Sequence, residues 1–304
     1  SHKLDLSSLD DVGGSVPPPM PEPAIAVEGP HGAPSVQAGF RGHMVARVVK
    51  GEMGIGKTAL VATFLSELPQ TFRILSVECS PVKSELPFAT TADLLRAATG
   101  HGADHSLSEA KIYLRQLLGP AASRLPQAAQ IASRLAELVT GKHEEITEEE
   151  AAGYRRELIF TGVRQLFGAM ARTQPLVVVV DSLQWADRPS LELLQELLRT
   201  AGPVPLLLLL VTRQDDRVTP FVEGLVQIEL RGLSPEEQMR LVEARLGVRE
   251  GVAAVCGELV PKVAGNPFFL LEMIDALLER GTLEIVERPD GRHELIRHDR
   301  GGEA

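Results

Sequence analysis

The sequence predicts a parallel α/β domain followed by a smaller helical region. Two observations carry this. First, Leu176–Val180 and Leu206–Val211 are unbroken apolar runs. Such runs belong to parallel strands covered on both faces, and here they alternate with stretches of helical periodicity. Second, the pattern changes after Leu230, where Ser234-Pro235-Glu236-Glu237 opens a purely helical stretch. That tetrapeptide has the form of a capping box, with proline at the first helical position.

The elements follow in order. Residues 1–40 carry Pro17-Pro18-Pro19, then Pro21, Pro23, Pro30 and Pro34, and read as a disordered linker. Met44–Val49 reads as a short buried strand, followed at once by a glycine-rich loop and an apolar-periodic helix over Thr58–Leu68. A second strand is expected at Arg73–Cys79. Pro87–Arg172 is expected to be mostly helical, with Thr147 and Glu150 forming a capping box and Tyr154, Leu158, Ile159, Val163, Leu166, Phe167 and Met170 at helical spacing. The Leu176–Val180 strand ends at Asp181. Leu191, Leu194 and Leu198 mark a helix, Leu206–Val211 a strand that ends at Thr212-Arg213, and Leu225–Leu230 a fifth strand. Helices are expected at 235–246, 252–264 and 267–280. Glu284–Glu287 and His293–Ile296 flank Pro289-Asp290-Gly291 and signal a hairpin. The division expected is a linker over 1–40, a nucleotide-type core over 41–231 with a helical insertion near 87–172, a helical lid over 232–281, and over 282–304 the start of a further, winged-helix-like domain.

Of 304 residues, 44% are hydrophobic and 24% charged, enough for a sizeable core. The formal net charge of −10 argues against a segment built to grip nucleic acid through its phosphates. No apolar run approaches the roughly 20 residues of a membrane span, and no secretory leader pattern is present. Cys79 and Cys256 lack a CxxC or metal spacing and read as reduced core thiols of a cytoplasmic protein. The chain begins at Ser1 and is expected to be a segment of a longer polypeptide.

The chemistry concentrates in Gly51-Glu52-Met53-Gly54-Ile55-Gly56-Lys57-Thr58, followed by Ala59. This satisfies G-x-x-x-x-G-K-[ST] between an apolar strand and a helix, the context a phosphate loop requires. Glycines let backbone N–H groups converge on phosphate oxygens. Lys57 would reach the β- and γ-phosphates, Thr58 would ligate Mg²⁺, and the helix N-terminus would aim its positive end at the anion. Asp181, at a strand end where open α/β sheets place ligand-binding groups, is the expected second Mg²⁺ residue of a Walker-B type. Arg213 could sense the γ-phosphate from the end of its own strand.

Together these motifs resemble the STAND class of P-loop ATPases, and most of all the AAA-type ATPase domain of large LuxR-type regulators and of bacterial kinase or cyclase fusions. Gly51–Thr58 resembles its GExGIGKT loop. Val180-Asp181-Ser182-Leu183-Gln184-Trp185-Ala186-Asp187 with Ser190-Leu191 resembles its Walker-B signature hhhDDLQWAD-x-x-SL. Thr212-Arg213 resembles its sensor arginine, and Gly265-Asn266-Pro267-Phe268-Phe269 its GNPF motif. The resemblance implies an ASCE-type core that binds ATP or ADP with Mg²⁺, with Pro267 beside the nucleotide. It further implies a signalling or transcription-regulating switch that exchanges ADP for ATP, couples to flanking domains and self-associates.

Two departures stand out. The family's second acid is Ser182 here, which implies slow or absent hydrolysis. Asp187 is then a substitute acid or a cap of the following helix. The family's hhGRE segment before the loop has no counterpart in Ala24–Gly42, leaving the adenine pocket undefined. Other readings stay open. A non-hydrolysing scaffold is favoured by Ser182. A GTPase is suggested by Thr212-Arg213-Gln214-Asp215 but lacks the D-x-x-G glycine after Asp181. His101 and His105 have metal-pair spacing without a third ligand and read as a solvated loop. Trp185, the sole tryptophan, is expected to pack against the sheet.

Overall fold

The computed structural model describes residues 42–123, 127–142, 152–200 and 202–298. The proline-rich segment 1–40 and the capping box at Thr147 lie outside them.

Five strands form one parallel sheet: β1 (Val45–Lys50), β2 (Arg73–Glu78), β3 (Leu176–Asp181), β4 (Leu206–Thr212) and β5 (Val226–Glu229), in the order β2-β3-β4-β1-β5. Burial explains the order. All seven residues of β4 and the first five of β3 are buried, so these strands, apolar but for their last residues, take inner places. The edge strands β2 and β5 alternate or lie open. The sheet is the parallel α/β arrangement expected of a P-loop NTPase.

Helices connect the strands: α1 (Lys57–Glu67) after β1, α2 (Ala89–Thr99), α3 (Leu107–Ser123), α4 (Ala128–Thr140) and α5 (Ala152–Thr173) between β2 and β3, α6 (Arg188–Thr200) before β4, and the short α7 (Thr219–Val222) before β5. The long stretch between β2 and β3 is thus helical, as its periodicity predicts. Its α3 opens with a capping box not among the expected ones: the Ser106 N–H donates to Glu109 Oε2 at 2.9 Å, and the Glu109 N–H donates to Ser106 Oγ at 3.2 Å. The S-x-x-E spacing was the available signal. Leu94, Leu114, Leu135, Leu166 and Phe167 from these helices share one core with Val178, Val180 and Leu208 of the sheet.

A second core lies beyond Leu230, where α8 (Pro235–Leu246), α9 (Val252–Val263) and α10 (Pro267–Glu279) precede the antiparallel hairpin β6 (Leu283–Glu287) and β7 (His293–Arg297). The capping box that opens α8 forms as read, with Glu237 Oε2 accepting from the Ser234 N–H at 2.7 Å. Leu283 and Leu295 of the hairpin are buried in the same cluster as Val242, Val252, Leu259, Leu270 and Ile274 of the helices. A bridge between Glu250 and Glu294 ties β7 to the α8–α9 turn. No helix among the described residues is long and apolar enough to cross a membrane.

Candidate functional site

Strand order builds the site. From β1 the chain must reach β2 at the far edge, past β4 and β3, so α1 crosses over both. With strands spaced about 4.8 Å apart, Asp181 on β3 lies roughly 10 Å from the line of β1. The crossing closes that gap. The Thr58 hydroxyl, in the first turn of α1, donates to Asp181 Oδ2 at 3.0 Å.

The loop between β1 and α1 needs its glycines. Gly54 has φ +76° and Gly56 has φ +102°, the left-handed region that side-chain-bearing residues avoid. A Cβ on Gly56 would meet nothing within 4 Å, so there the requirement is conformational. At Gly51 it is spatial, because a Cβ would lie 2.8 Å from the Leu230 carbonyl oxygen. Ile55 is buried and anchors the loop. The Lys57 ammonium folds back over the loop, donating to the Gly51 and Glu52 carbonyl oxygens at 2.9 and 2.8 Å. Burial lowers the Lys57 pKa; Asp181 and Glu52 oppose that shift, and Arg213 adds to it. Lys57, Asp181 and Arg213 thus share one electrostatic neighbourhood.

Asp181 Oδ1 accepts from the N–H of Ser182 at 2.5 Å. Ser182 has φ +56°, a conformation asparagine and aspartate tolerate better than serine. The following turn, Leu183–Trp185, is pinned to the end of β4 by Gln184, whose Oε1 accepts from the Thr212 hydroxyl at 3.3 Å. The guanidinium groups of Arg213 and Arg217 each lie 5.1 Å from the centre of the Trp185 ring, so this tryptophan packs against cations as well as the sheet. Gln184 was not singled out from the sequence, because a lone glutamine carries no spacing signal.

Asp187 needs correction as a catalytic acid. It is 2% exposed, and its carboxylate accepts from the N–H groups of Phe88 at 2.8 Å, Thr90 at 2.9 Å and Ser190 at 3.0 Å. Next to it, the Ser190 hydroxyl accepts from the Thr91 N–H at 3.0 Å. Asp187 and Ser190 therefore clamp the starts of α2 and α6 together. A carboxylate this deeply buried and held by three backbone donors is a structural acceptor that joins two helix starts.

The GNPF segment meets the loop directly. Asn266 caps α10, its Oδ1 accepting from the Phe268 and Phe269 N–H groups at 3.1 and 3.4 Å. Its Nδ2 donates to the Met53 carbonyl oxygen at 2.8 Å, and the Phe268 N–H also lies 3.3 Å from the Gly54 carbonyl oxygen. Pro267 starts the helix, while the polar contacts come from its neighbours. Ala59 stands in the first turn of α1. His101 stacks on Tyr113 with ring centres 4.6 Å apart and lies 4.4 Å from the His105 ring, as part of a local cluster beside α3.

The site's donor set suits a nucleotide and its metal. Two glycines open a backbone concavity, a lysine stands at its mouth, and the hydroxyl and carboxylate oxygens of Thr58 and Asp181 are ligands of the hard type Mg²⁺ selects.

Comparison with known proteins agrees with this geometry. Residues 37–211 match the family described as AAA ATPase domain, and residues 234–289 match a family described only as a domain of unknown function. No curated protein matches. Among solved structures, a signal transduction ATPase with numerous domains and a tetratricopeptide repeat sensor, from Pyrococcus horikoshii, shares 19% identity at a TM-score of 0.39, over 76% of this chain and 27% of its own. A chain of the Drosophila ORC bound to DNA shares 17% identity at a TM-score of 0.39, over 80% of this chain and 52% of its own. The present chain thus spans about a quarter and about half of those two proteins. With more than half of its length matched, the chain belongs to the AAA ATPase domain family and is a nucleotide-binding ATPase domain.

Proposed function

We propose that the domain is an ATP/ADP-responsive switch in a larger signalling or transcription-regulating protein of the STAND kind, with slow Mg²⁺-dependent hydrolysis. The observation that carries the reading is the contact between lid and loop. Asn266 and the Phe268 N–H hold carbonyl oxygens of Met53 and Gly54, so any nucleotide that reshapes the loop acts on α10 at once. Hydrogen bonds thus join the loop proposed to recognise phosphate to the helix proposed to respond.

In this reading the N–H groups around Gly54, Gly56 and Lys57 bind the β-phosphate, and the Lys57 ammonium leaves its two loop carbonyls for phosphate oxygens. Thr58 and Asp181 would hold the metal, which would supply charge neutralisation to the triphosphate. Arg213 exchanges the Trp185 ring for the γ-phosphate. Flanking domains and a second copy of the protein would read the lid position. Ser182 supports a second reading, a scaffold that binds nucleotide without turning it over.

Calorimetry with ATP, ADP and GTP, together with single-turnover hydrolysis, tests these readings. We expect ATP and ADP to bind, and Lys57→Ala to weaken ATP binding by about 2 kcal/mol, near thirtyfold, through loss of charge-assisted hydrogen bonds. Wild-type turnover above the Lys57→Ala level sinks the scaffold reading. GTP binding in preference to ATP sinks the ATPase reading.

A further inference from the structure

We propose that Glu78, at the end of the neighbouring strand, is the general base that the chain uses in place of the acid missing at Ser182. The proposal rests on the ATP-hydrolysing reading above and assigns a catalytic residue to it.

Four observations carry it. Glu78 is paired in register with Asp181 across the parallel β2–β3 ladder, and the Cys79 N–H donates to the Asp181 carbonyl oxygen at 2.9 Å. Paired residues of adjacent parallel strands sit about 4.8 Å apart and project from the same face. Asp181 reaches Thr58 under α1, so Glu78 projects from the face that carries the phosphate loop.

That face is open to water beside β2, because Ile74, Ser76 and Glu78, which alternate onto it, are all exposed. Val77, the residue between the last two, is only partly exposed and sits in the ladder opposite buried Val180. A water molecule can therefore approach the site from the Glu78 side.

Among the described residues, Glu78 also makes no hydrogen bond or ion pair, whereas the two aspartates Asp181 and Asp187 are engaged. Asp181 accepts from Thr58 and Ser182, and Asp187 from three backbone amides. A base must have a lone pair to offer, and Glu78 has one.

Finally, Ser182 cannot fill the role. Its hydroxyl is a poor base, and its backbone is turned into the left-handed region by the turn that follows.

The step balances as hydrolysis. The water oxygen forms a bond to the γ-phosphorus, the bond from that phosphorus to the β,γ-bridging oxygen breaks, ADP leaves with the electron pair, and the water proton passes to the Glu78 carboxylate.

Single-turnover hydrolysis by Glu78→Gln and Glu78→Ala tests the assignment, with ATP binding and its Mg²⁺ requirement followed by calorimetry. We expect the rate to fall about a hundredfold in both, with ATP affinity within about threefold of wild type and an unchanged Mg²⁺ requirement. An unchanged rate overturns the proposal. So does a rate lost in step with ATP binding or with a raised Mg²⁺ requirement, which makes Glu78 a ligand. Wild-type protein that binds ATP but turns it over no faster than Lys57→Ala also overturns it, while nucleotide binding stands. Absence of binding heat in the wild type overturns the functional reading itself.

Discussion

At the scale of single residues, the site separates two aspartates of similar sequence context. Asp181 ends a buried strand and faces the Thr58 hydroxyl. Six residues on, Asp187 is buried among backbone amides that start two helices. The difference has a measurable consequence. Asp187→Ala removes the acceptor for three backbone N–H groups, two of them fully buried and costly to leave unpaired, and should destabilise the domain by about 3 kcal/mol. Asp187→Asn, which keeps one carbonyl oxygen, should cost about half that. Urea midpoints measure both. ATP affinity per folded molecule should stay at the wild-type level, and a specific loss of binding or turnover in the folded fraction would restore Asp187 as a functional acid.

At the scale of elements, two helices converge on one loop. The helix α1 leaves it and α10 arrives over it. A Cβ added at Gly54 would lie 2.7 Å from the Phe268 Cβ and 3.0 Å from Asn266 Oδ1, on a backbone with φ +76°. Neither neighbour is the loose end of a long side chain, so the start of α10 must shift. Gly54→Ala should therefore both weaken ATP binding by tenfold or more, on the order of 1.4 kcal/mol, and raise protease sensitivity around residues 264–268. Asn266→Ala removes a helix cap and the link to Met53, and should cost about 1 kcal/mol. It should raise protease sensitivity at the same place with a smaller effect on ATP affinity. If both variants digest like the wild type, the contact between α10 and the loop is not the coupling element.

At the scale of the whole molecule, the described residues hold two hydrophobic clusters, and each contains one cysteine. Cys79 belongs to the sheet's core and Cys256 to the core of α8–α10 and the hairpin. Both thiols are buried. Burial first of all pushes Cys79 up to about 11, and Cys256 is raised by burial as well. Neither should react with a thiol reagent at neutral pH in the folded protein, since thiolate is the reactive form. Under partial denaturation we expect Cys256 to label first, because its cluster is the smaller and smaller cores open at lower cost. Bound ATP should delay Cys256 more than ADP does if the lid reads the third phosphate. Simultaneous labelling of the two cysteines at every urea concentration would mean that the clusters open as one unit.

The parallel α/β class, the five strands and the glycine-rich loop were all legible in the chain, because each is a local pattern, whereas the Thr58–Asp181 contact joins residues far apart in sequence and was made by the sheet order. Buried strands must be apolar throughout, and a backbone that wraps an anion must have glycine where φ is positive. The capping box of α8 was legible for the same reason, and that of α3 would have been on the same pattern. Asp187 looked ambiguous because its three donors come from Phe88, Thr90 and Ser190, and two of those lie about a hundred residues away. Glu78 carried no signal either, since a lone glutamate at a strand end acquires meaning only when the strand order makes β3 its neighbour. Sequence determined where residue types suited to phosphate and metal stand in the chain. The sheet order decided which carboxylates stand beside them, because side chains distant in sequence are brought within reach only by packing.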